Sequence, residues 1–278
     1  MDIEQHRTES GVAVITGASS GIGAVFARRL AERGHGLVLV ARREQRLEDL
    51  ARDLRPVAPS VETIVADLAD NADRARVLDR VQRQDVAVLV NNAGINGYGP
   101  FDQIDPELLA KVVELNVTTP TLLARAALPG MLTRQRGAII NVASLLAFAG
   151  ALPPDPLPHR STYAGTKGHV VTFSRTLAAE LADTPVRVQA LCPGLTATEF
   201  HLTRGEEPVT GERERTHAEG GMSAEDVVTA SLVALDNDEV LCAPGLEDPH
   251  AVDRLSEAES ELRHASVPDL AARYRAPR

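Results

Sequence analysis

The chain has 278 residues, 44% of them hydrophobic, enough to fill one large α/β core or two small ones. A net charge of −10 and a pI near 5.3 argue against a nucleic-acid backbone or an anionic membrane surface as partner. The first ten residues lack a signal-peptide pattern, and no apolar run is long enough to span a bilayer. The two cysteines, Cys192 and Cys242, fall in apolar segments without metal-ligand spacing, so a reducing cytoplasm is the expected compartment and no metal is expected.

Short apolar runs at 12–16, 36–40, 61–66, 86–90, 138–142, 186–191 and 239–243 read as strands. Helical patterns lie between them at 21–33, 44–54, 71–83, 106–133, 161–182 and 224–235, with another across 251–264. Five or six apolar residues per strand, separated by helices, predict an α/β protein whose parallel sheet is covered on both faces. About seven strands are expected, ordered 3-2-1 then 4-5-6 as in a doubly wound Rossmann dinucleotide fold. With no Gly/Ser-rich linker and no repeat, one domain over 1–278 is preferred, with a core of about 11–246 and a C-terminal extension over 247–278. Ser223 with Asp226 predicts a capped helix start.

Two segments break the alternation. Residues 151–160 hold Pro153, Pro154, Pro156 and Pro158 and cannot be helix interior. Residues 199–221 are polar and glycine-containing, and predict a loop that closes over substrate as a lid.

The first strand runs into Thr16-Gly17-Ala18-Ser19-Ser20-Gly21-Ile22-Gly23 and then a helix. Gly17 permits the tight turn, Gly21 lets a pyrophosphate approach the backbone, and Gly23 allows close helix–strand packing. The phosphates would lie at the helix N-terminus, making Gly17, Ser19, Ser20, Gly21, Ile22 and Gly23 candidate cofactor contacts. After the second strand, Arg42 stands where an acid would bind the ribose of NAD, and Arg43 follows it. That charge favours NADP(H), with NAD(H) possible. Asp67 and Leu68 follow the third strand, and Asn92, Ala93 and Gly94 the fourth, where the cofactor crevice is expected. Asn116 interrupts an apolar helical pattern and needs a hydrogen-bond partner.

Tyr163 and Lys167 are four residues apart, which stacks them on one helix face. A fixed ammonium favours the phenolate, so the pair could exchange a proton near neutral pH. The chain contains 27 arginines and only two lysines, Lys111 and Lys167, so a lysine here stands out.

This ordered set resembles the short-chain dehydrogenase/reductase family, in its subgroup with a Thr-Gly-x-x-x-Gly-x-Gly turn. Thr16, Gly17, Gly21, Gly23, Asn91 to Gly94, Asn116, Ser144, Tyr163, Lys167, Pro193 and Gly194 carry the resemblance over about 11–246. It implies Tyr163 as general acid/base and Lys167 as the group that lowers its pKa and holds the nicotinamide ribose. It further implies that Ser144 polarises a substrate carbonyl and that Asn116 positions a relay water. Pro193, Gly194, Thr196 and Thr198 would border the nicotinamide and phosphates. Hydride transfer between NADP(H) and a carbonyl or secondary alcohol follows. Homodimers or homotetramers are expected, since relatives commonly pair through the helices carrying Asn116 and Tyr163.

Ser144 lies 19 residues before Tyr163, a wider spacing than is usual in the family. The excess falls in the proline-rich segment, which predicts an enlarged loop beside the substrate mouth with Ser144 still at a strand end. Ser161 and Thr162 read as helix-start residues. Asn96, Tyr98, Leu145, Phe148, Leu195, Phe200 and His201 are candidate substrate contacts for a small carbonyl or alcohol. An alternative is a non-catalytic nucleotide sensor on the same fold, which would need only the glycine turn. Enoyl reductases separate Tyr and Lys more widely and epimerases space the glycine turn differently, so both fit less well.

Overall fold

The structure is a computed structural model. It describes residues 11–155, 157–202, 221–248 and 250–275, with His201 and Leu202 described by their backbone alone. Contacts divide it into two units, Met1–Pro244 and Gly245–Arg278.

In the first unit, seven parallel strands form one sheet in the order β3-β2-β1-β4-β5-β6-β7. They are β1 Val12–Thr16, β2 Gly36–Ala41, β3 Val61–Val65, β4 Val86–Asn91, β5 Gly137–Val142, β6 Val186–Leu191 and β7 Leu241–Cys242. Every residue of β2, β4 and β5 is buried, as continuous apolar runs in a sheet covered on both faces require. Helices α1 Gly21–Glu32, α2 Glu44–Leu54 and α7 Ala224–Asp236 supply side chains to one core, with Phe26, Leu47 and Leu232 in it. Helices α3 Asn71–Val81, α4 Pro106–Val113 and α5 Thr119–Thr133 contribute Val77, Val112 and Leu123 to the other. Helix α6, Ser161–Glu180, packs beside β6 and carries Tyr163 and Lys167.

Two boundaries differ from expectation. The last strand is confined to Leu241–Cys242, where it hydrogen-bonds alongside β6. The continuous helix expected over 106–133 is interrupted by a π-helical turn, Glu114–Thr118. Pro120 has no N–H to give the carbonyl of Asn116, four residues earlier, so the regular ladder cannot continue there. Instead the Thr119 N–H reaches back five residues to the Glu114 carbonyl. Ser223 caps α7 by accepting from the Asp226 N–H at 3.0 Å.

Several polar side chains of the sheet hydrogen-bond one another or a covering helix. Asn91 Nδ2 donates to Asn141 Oδ1 at 2.8 Å, and Asn141 Nδ2 donates to Ser174 Oγ on α6 at 2.9 Å. This chain ties β4 and β5 to α6 just below the strand ends. Gln189 on β6 is likewise met by Ser231 on α7. The second unit holds helix α8, His250–His264, whose last turn carries Arg263 and His264. Among the described residues no helix is long and apolar enough to cross a membrane.

Phe26 is fully buried between α1 and the sheet. Phe26→Ala is expected to lower unfolding free energy by about 3–5 kcal/mol through lost burial and a residual cavity. Urea unfolding followed by circular dichroism checks this, and a loss below about 1 kcal/mol would show that the site collapses or was never packed.

Candidate active site

A groove of about 780 Å³ opens at the carboxyl ends of the strands. It straddles β1 and β4, where the strand order reverses, the usual ligand position in an open parallel sheet. Thr16 closes β1 by stitching it to the chain after β4. Its hydroxyl donates to the Val90 carbonyl at 3.2 Å and accepts from the Asn92 and Ala93 N–H groups at 2.9 and 3.0 Å. Asn92 Nδ2 donates in turn to the Thr16 carbonyl at 2.9 Å. Gly17 sits at φ +67°, and a Cβ there would meet Asn92 Nδ2 at 2.7 Å. At Gly23 a Cβ would lie 2.3 Å from the Gly17 carbonyl oxygen. These two positions therefore tolerate only glycine.

The turn leads into the N-terminus of α1, where the Ser20 side chain makes no capping bond and the first helical turn carries no acid. Those N–H groups lie at a groove lined by Gly17, Ser19, Ser20, Gly21 and Ile22, and the residues present fit a dinucleotide pyrophosphate. Arg42, Arg43, Asp67 and Leu68 line the same end. Asp67 is held by Lys111, whose Nζ donates to its Oδ2 at 3.1 Å. Glu199, not singled out from the sequence, also lines the groove and accepts from Arg43 and Arg46. Nothing in the sequence pairs residues so far apart.

Ala93 and Thr198 line the groove against Gly17 and Gly21, and Gly94, Ser144, Tyr163, Lys167, Pro193, Gly194 and Thr196 complete its lining. Ser144 is buried at the end of β5. Its Oγ accepts from the Leu146 N–H at 3.2 Å, and its hydroxyl lines the groove together with Tyr163. Ser161, by contrast, is exposed at the start of α6 and does not line the groove. Lys167 Nζ donates to the Val142 carbonyl at 2.7 Å and lies 5.6 Å from the Tyr163 ring centroid.

The electrostatics differ from the simple expectation that Lys167 depresses the Tyr163 pKa. Burial raises the phenol well above its ordinary value and Tyr98 adds to the rise, while the Ser144 hydrogen bond opposes it. Burial also pulls Lys167 down to about 8. The dominant force on both groups is exclusion from water.

Asn116 lies in the π-helical turn, one layer behind the groove wall. Its Oδ1 accepts from the Ile95 N–H at 3.1 Å, and its Nδ2 donates to the Ile95 carbonyl at 2.9 Å and to Thr166 Oγ1 at 3.2 Å. Sequence pattern flagged it as needing a partner, and this is where the partners are.

Around Tyr163 the wall is apolar. Tyr98 meets its ring edge-on at 5.3 Å and Phe200 is tilted against it at 5.7 Å. Leu145 and Leu195 line this end, joined by Leu157 and Pro158 from the proline-rich loop. Arg160 shapes that loop. It is buried, and its guanidinium donates to the carbonyls of Ala149, Leu152, Pro153 and Pro158 at 2.7–3.4 Å. Phe148 and Asn96 do not line the groove. Phe148 is exposed, and Asn96 is buried with its amide donating to the Phe200 carbonyl at 3.2 Å. The His201 side chain and residues 203–220, most of the expected lid, lie outside the described residues. Among the described residues no group of three or more His, Cys, Asp or Glu could hold a metal ion.

Comparison with known proteins agrees with this geometry. The short chain dehydrogenase family profile matches residues 11–208. The chain is 41% identical over 191 residues to a Streptomyces violaceoruber protein assigned as a ketoacyl reductase of the granaticin polyketide synthase, covering 67% of this chain and 68% of the other. A short-chain dehydrogenase from Sphingobium yanoikuyae, solved in complex with NADPH, superposes with a TM-score of 0.85 at 36% identity, covering 95% of this chain and all of the other. The bulky-bulky ketone specific alcohol dehydrogenase of Comamonas testosteroni superposes with a TM-score of 0.82 at 33% identity, covering 95% and 98% of the two chains. The chain belongs to the short-chain dehydrogenase/reductase family of oxidoreductases.

A lysine whose pKa is about 8 in the folded chain, against an ordinary value of 10.5, binds fewer protons folded than unfolded between those values. Stability from this group therefore rises with pH across that window, and the penalty for burying the cation is fully present below it. Thermal unfolding of wild type beside Lys167→Met, from about pH 7 to about pH 10, should show the wild type gaining on the variant as pH rises. A pH-independent difference would place the Lys167 pKa outside this range.

Proposed function

We propose that the protein reduces an uncharged ketone to a secondary alcohol using NADPH, with NADH as a poorer donor. The observation that carries this reading is the convergence of Ser144, Tyr163 and Lys167, from β5 and α6, on one end of a groove whose other end holds two arginines. A nicotinamide dinucleotide bound in the groove supplies the hydride. Arg42 and Arg43 follow β2, where they meet the negative charge of a 2′-phosphate. Lys167 lines the same groove, where its ammonium would meet a ribose hydroxyl of the dinucleotide.

The reaction adds hydride to the carbonyl carbon and a proton to its oxygen. Ser144 and Tyr163 line the same end of the groove, so an oxygen reaching both hydroxyls would be polarised before charge develops on it. Tyr163 donates the proton. Burial keeps the phenol protonated, the state that reduction consumes, and the nearby Lys167 stabilises the phenolate left behind. Asn116 fixes the backbone at Ile95, and its contact to Thr166 sets α6 against that loop. Tyr98, Leu145, Leu157, Leu195 and Phe200 offer apolar walls on the substrate side, which supports a ketone with apolar groups flanking its carbonyl. Residues 11–244 carry every group named, and Val113 and Leu122, exposed on α4 and α5, support self-association that sedimentation velocity would test.

Calorimetry with NADPH and NADH, followed by a screen of aryl and alkyl ketones for loss of reduced-cofactor absorbance, tests the reading. Arg42→Asp is expected to weaken NADPH selectively, and Tyr163→Phe to cut kcat by about a hundredfold to ten-thousandfold with NADPH binding intact. Ser144→Ala is expected to lose turnover and Ser161→Ala to keep it. Tight NADPH binding with no turnover on any ketone or alcohol would favour a nucleotide-binding protein without catalysis.

A further inference from the structure

At the adenosine end of the groove a carboxylate already sits on two guanidiniums. Glu199 Oε2 accepts from Arg43 Nη1 at 2.9 Å and from Arg46 Nη1 at 2.7 Å. Arg43 is held on its other edge, donating to Ser19 Oγ at 3.1 and 3.0 Å and to Ser20 Oγ at 2.6 Å. The cluster thus joins three segments: the glycine turn, the start of α2 and the chain after β6. The Arg43 and Glu199 side chains are 18% and 27% exposed, so solvent screens them only in part. Partial burial opposes ionisation of Glu199, but hydrogen bonds from Arg46 and Arg43 outweigh it and hold its carboxyl below the usual value. The residue is a full anion at neutral pH.

A phosphate and a carboxylate make the same demand on a guanidinium, namely planar N–H groups facing negative oxygens. Arginines engaged by Glu199 are less available to a 2′-phosphate, and the carboxylate repels it. A dinucleotide lacking that phosphate meets neither effect. We propose that Glu199 determines cofactor specificity, as an internal anion that shares Arg43 and Arg46 with the 2′-phosphate and holds down the preference for the phosphorylated dinucleotide. The inference rests on the NADP(H) reading above. It also makes Arg46 part of the phosphate-binding cation set, although only Arg42 and Arg43 follow the strand directly. Phe200, the next residue, packs on Tyr163 and accepts from Asn96 through its carbonyl, so the anion contact is one residue from the reacting phenol.

Glu199→Gln keeps the length and hydrogen-bonding capacity of the side chain while removing its charge. The test is calorimetric binding of four probes, NADPH, NADH, 2′,5′-ADP and 5′-AMP, to wild type and variant. NADPH and 2′,5′-ADP are expected to bind about tenfold tighter to the variant, with NADH and 5′-AMP changed by less than about twofold. An equal change for all four, or no gain for 2′,5′-ADP, overturns the proposal. In an Arg43→Gln background the gain should shrink to under about threefold, and its persistence would also overturn it. The NADP(H) reading is judged separately, on wild type alone. If wild type prefers NADH or binds neither dinucleotide, that reading fails, whereas a Glu199 failure shows only in the comparison with the variant.

Discussion

The close approach of β1 and β4 is the constraint on which the rest of the structure depends. These strands are neighbours in the sheet although two strands and three helices separate them in sequence. Their following loops diverge to opposite faces and leave the groove between them. Thr16 holds the gap at its narrowest point, with one hydroxyl serving a carbonyl and two N–H groups of the chain after β4. Asn92 returns the contact to the Thr16 backbone. A side chain at Gly17 or Gly23 would push these segments apart. The glycine-turn end of the groove is therefore built mainly from backbone, which cannot change rotamer.

The Tyr163 end is built on a different principle. Its groups come from a strand end and a helix face that are locked together below the surface by the Asn91–Asn141–Ser174 chain. Water is excluded by Tyr98, Phe200 and the leucines of the wall, and that exclusion dominates the ionisation of Tyr163 and Lys167. The phenol rises and the ammonium falls, so burial alone moves the two groups towards a neutral pair. A bound ligand that buries the pair further while adding positive charge would reverse the balance for Tyr163, because a cation favours the phenolate.

Much of the architecture was legible because it follows from periodicity. Apolar runs in a two-sided sheet and the helices between them fix the strand order once right-handed crossovers are assumed. The glycine turn and the Tyr163–Lys167 spacing are local, so the sequence displays them directly. The break at Glu114–Thr118 carried a readable signal, Pro120 four residues after Asn116, that hydrophobic periodicity overrode. Arg160 and Glu199 carried none. Arg160 reads as one more surface arginine in a chain rich in them, yet it is buried and gathers four carbonyls of the proline-rich loop. Glu199 meets arginines more than 150 residues away, a pairing only the folded chain reveals. The width of the Ser144–Tyr163 interval marked the loop but could not say that Leu157 and Pro158 would face the groove.

The arginine bias sharpens the meaning of the two lysines. Lys167 lines the groove beneath Tyr163, whereas Lys111 lies outside its lining and reaches it only through Asp67. A guanidinium is wider than an ammonium, needs partners for five N–H donors and keeps its charge at any physiological pH. In the buried space beneath Tyr163 one carbonyl, that of Val142, receives Nζ. Arginine there would leave several donors buried and unmet, each costing about 1–3 kcal/mol. It would also fix a charge that lysine can surrender, since burial has already brought Lys167 to about 8. The same chain uses arginine where the opposite is required, at the partly buried start of α2, where a permanent, planar cation suits the carboxylate of Glu199. The choice between the two basic residues thus follows the surroundings at each end of the groove: a fixed charge beside a carboxylate, and a yielding one in a buried space beside a phenol.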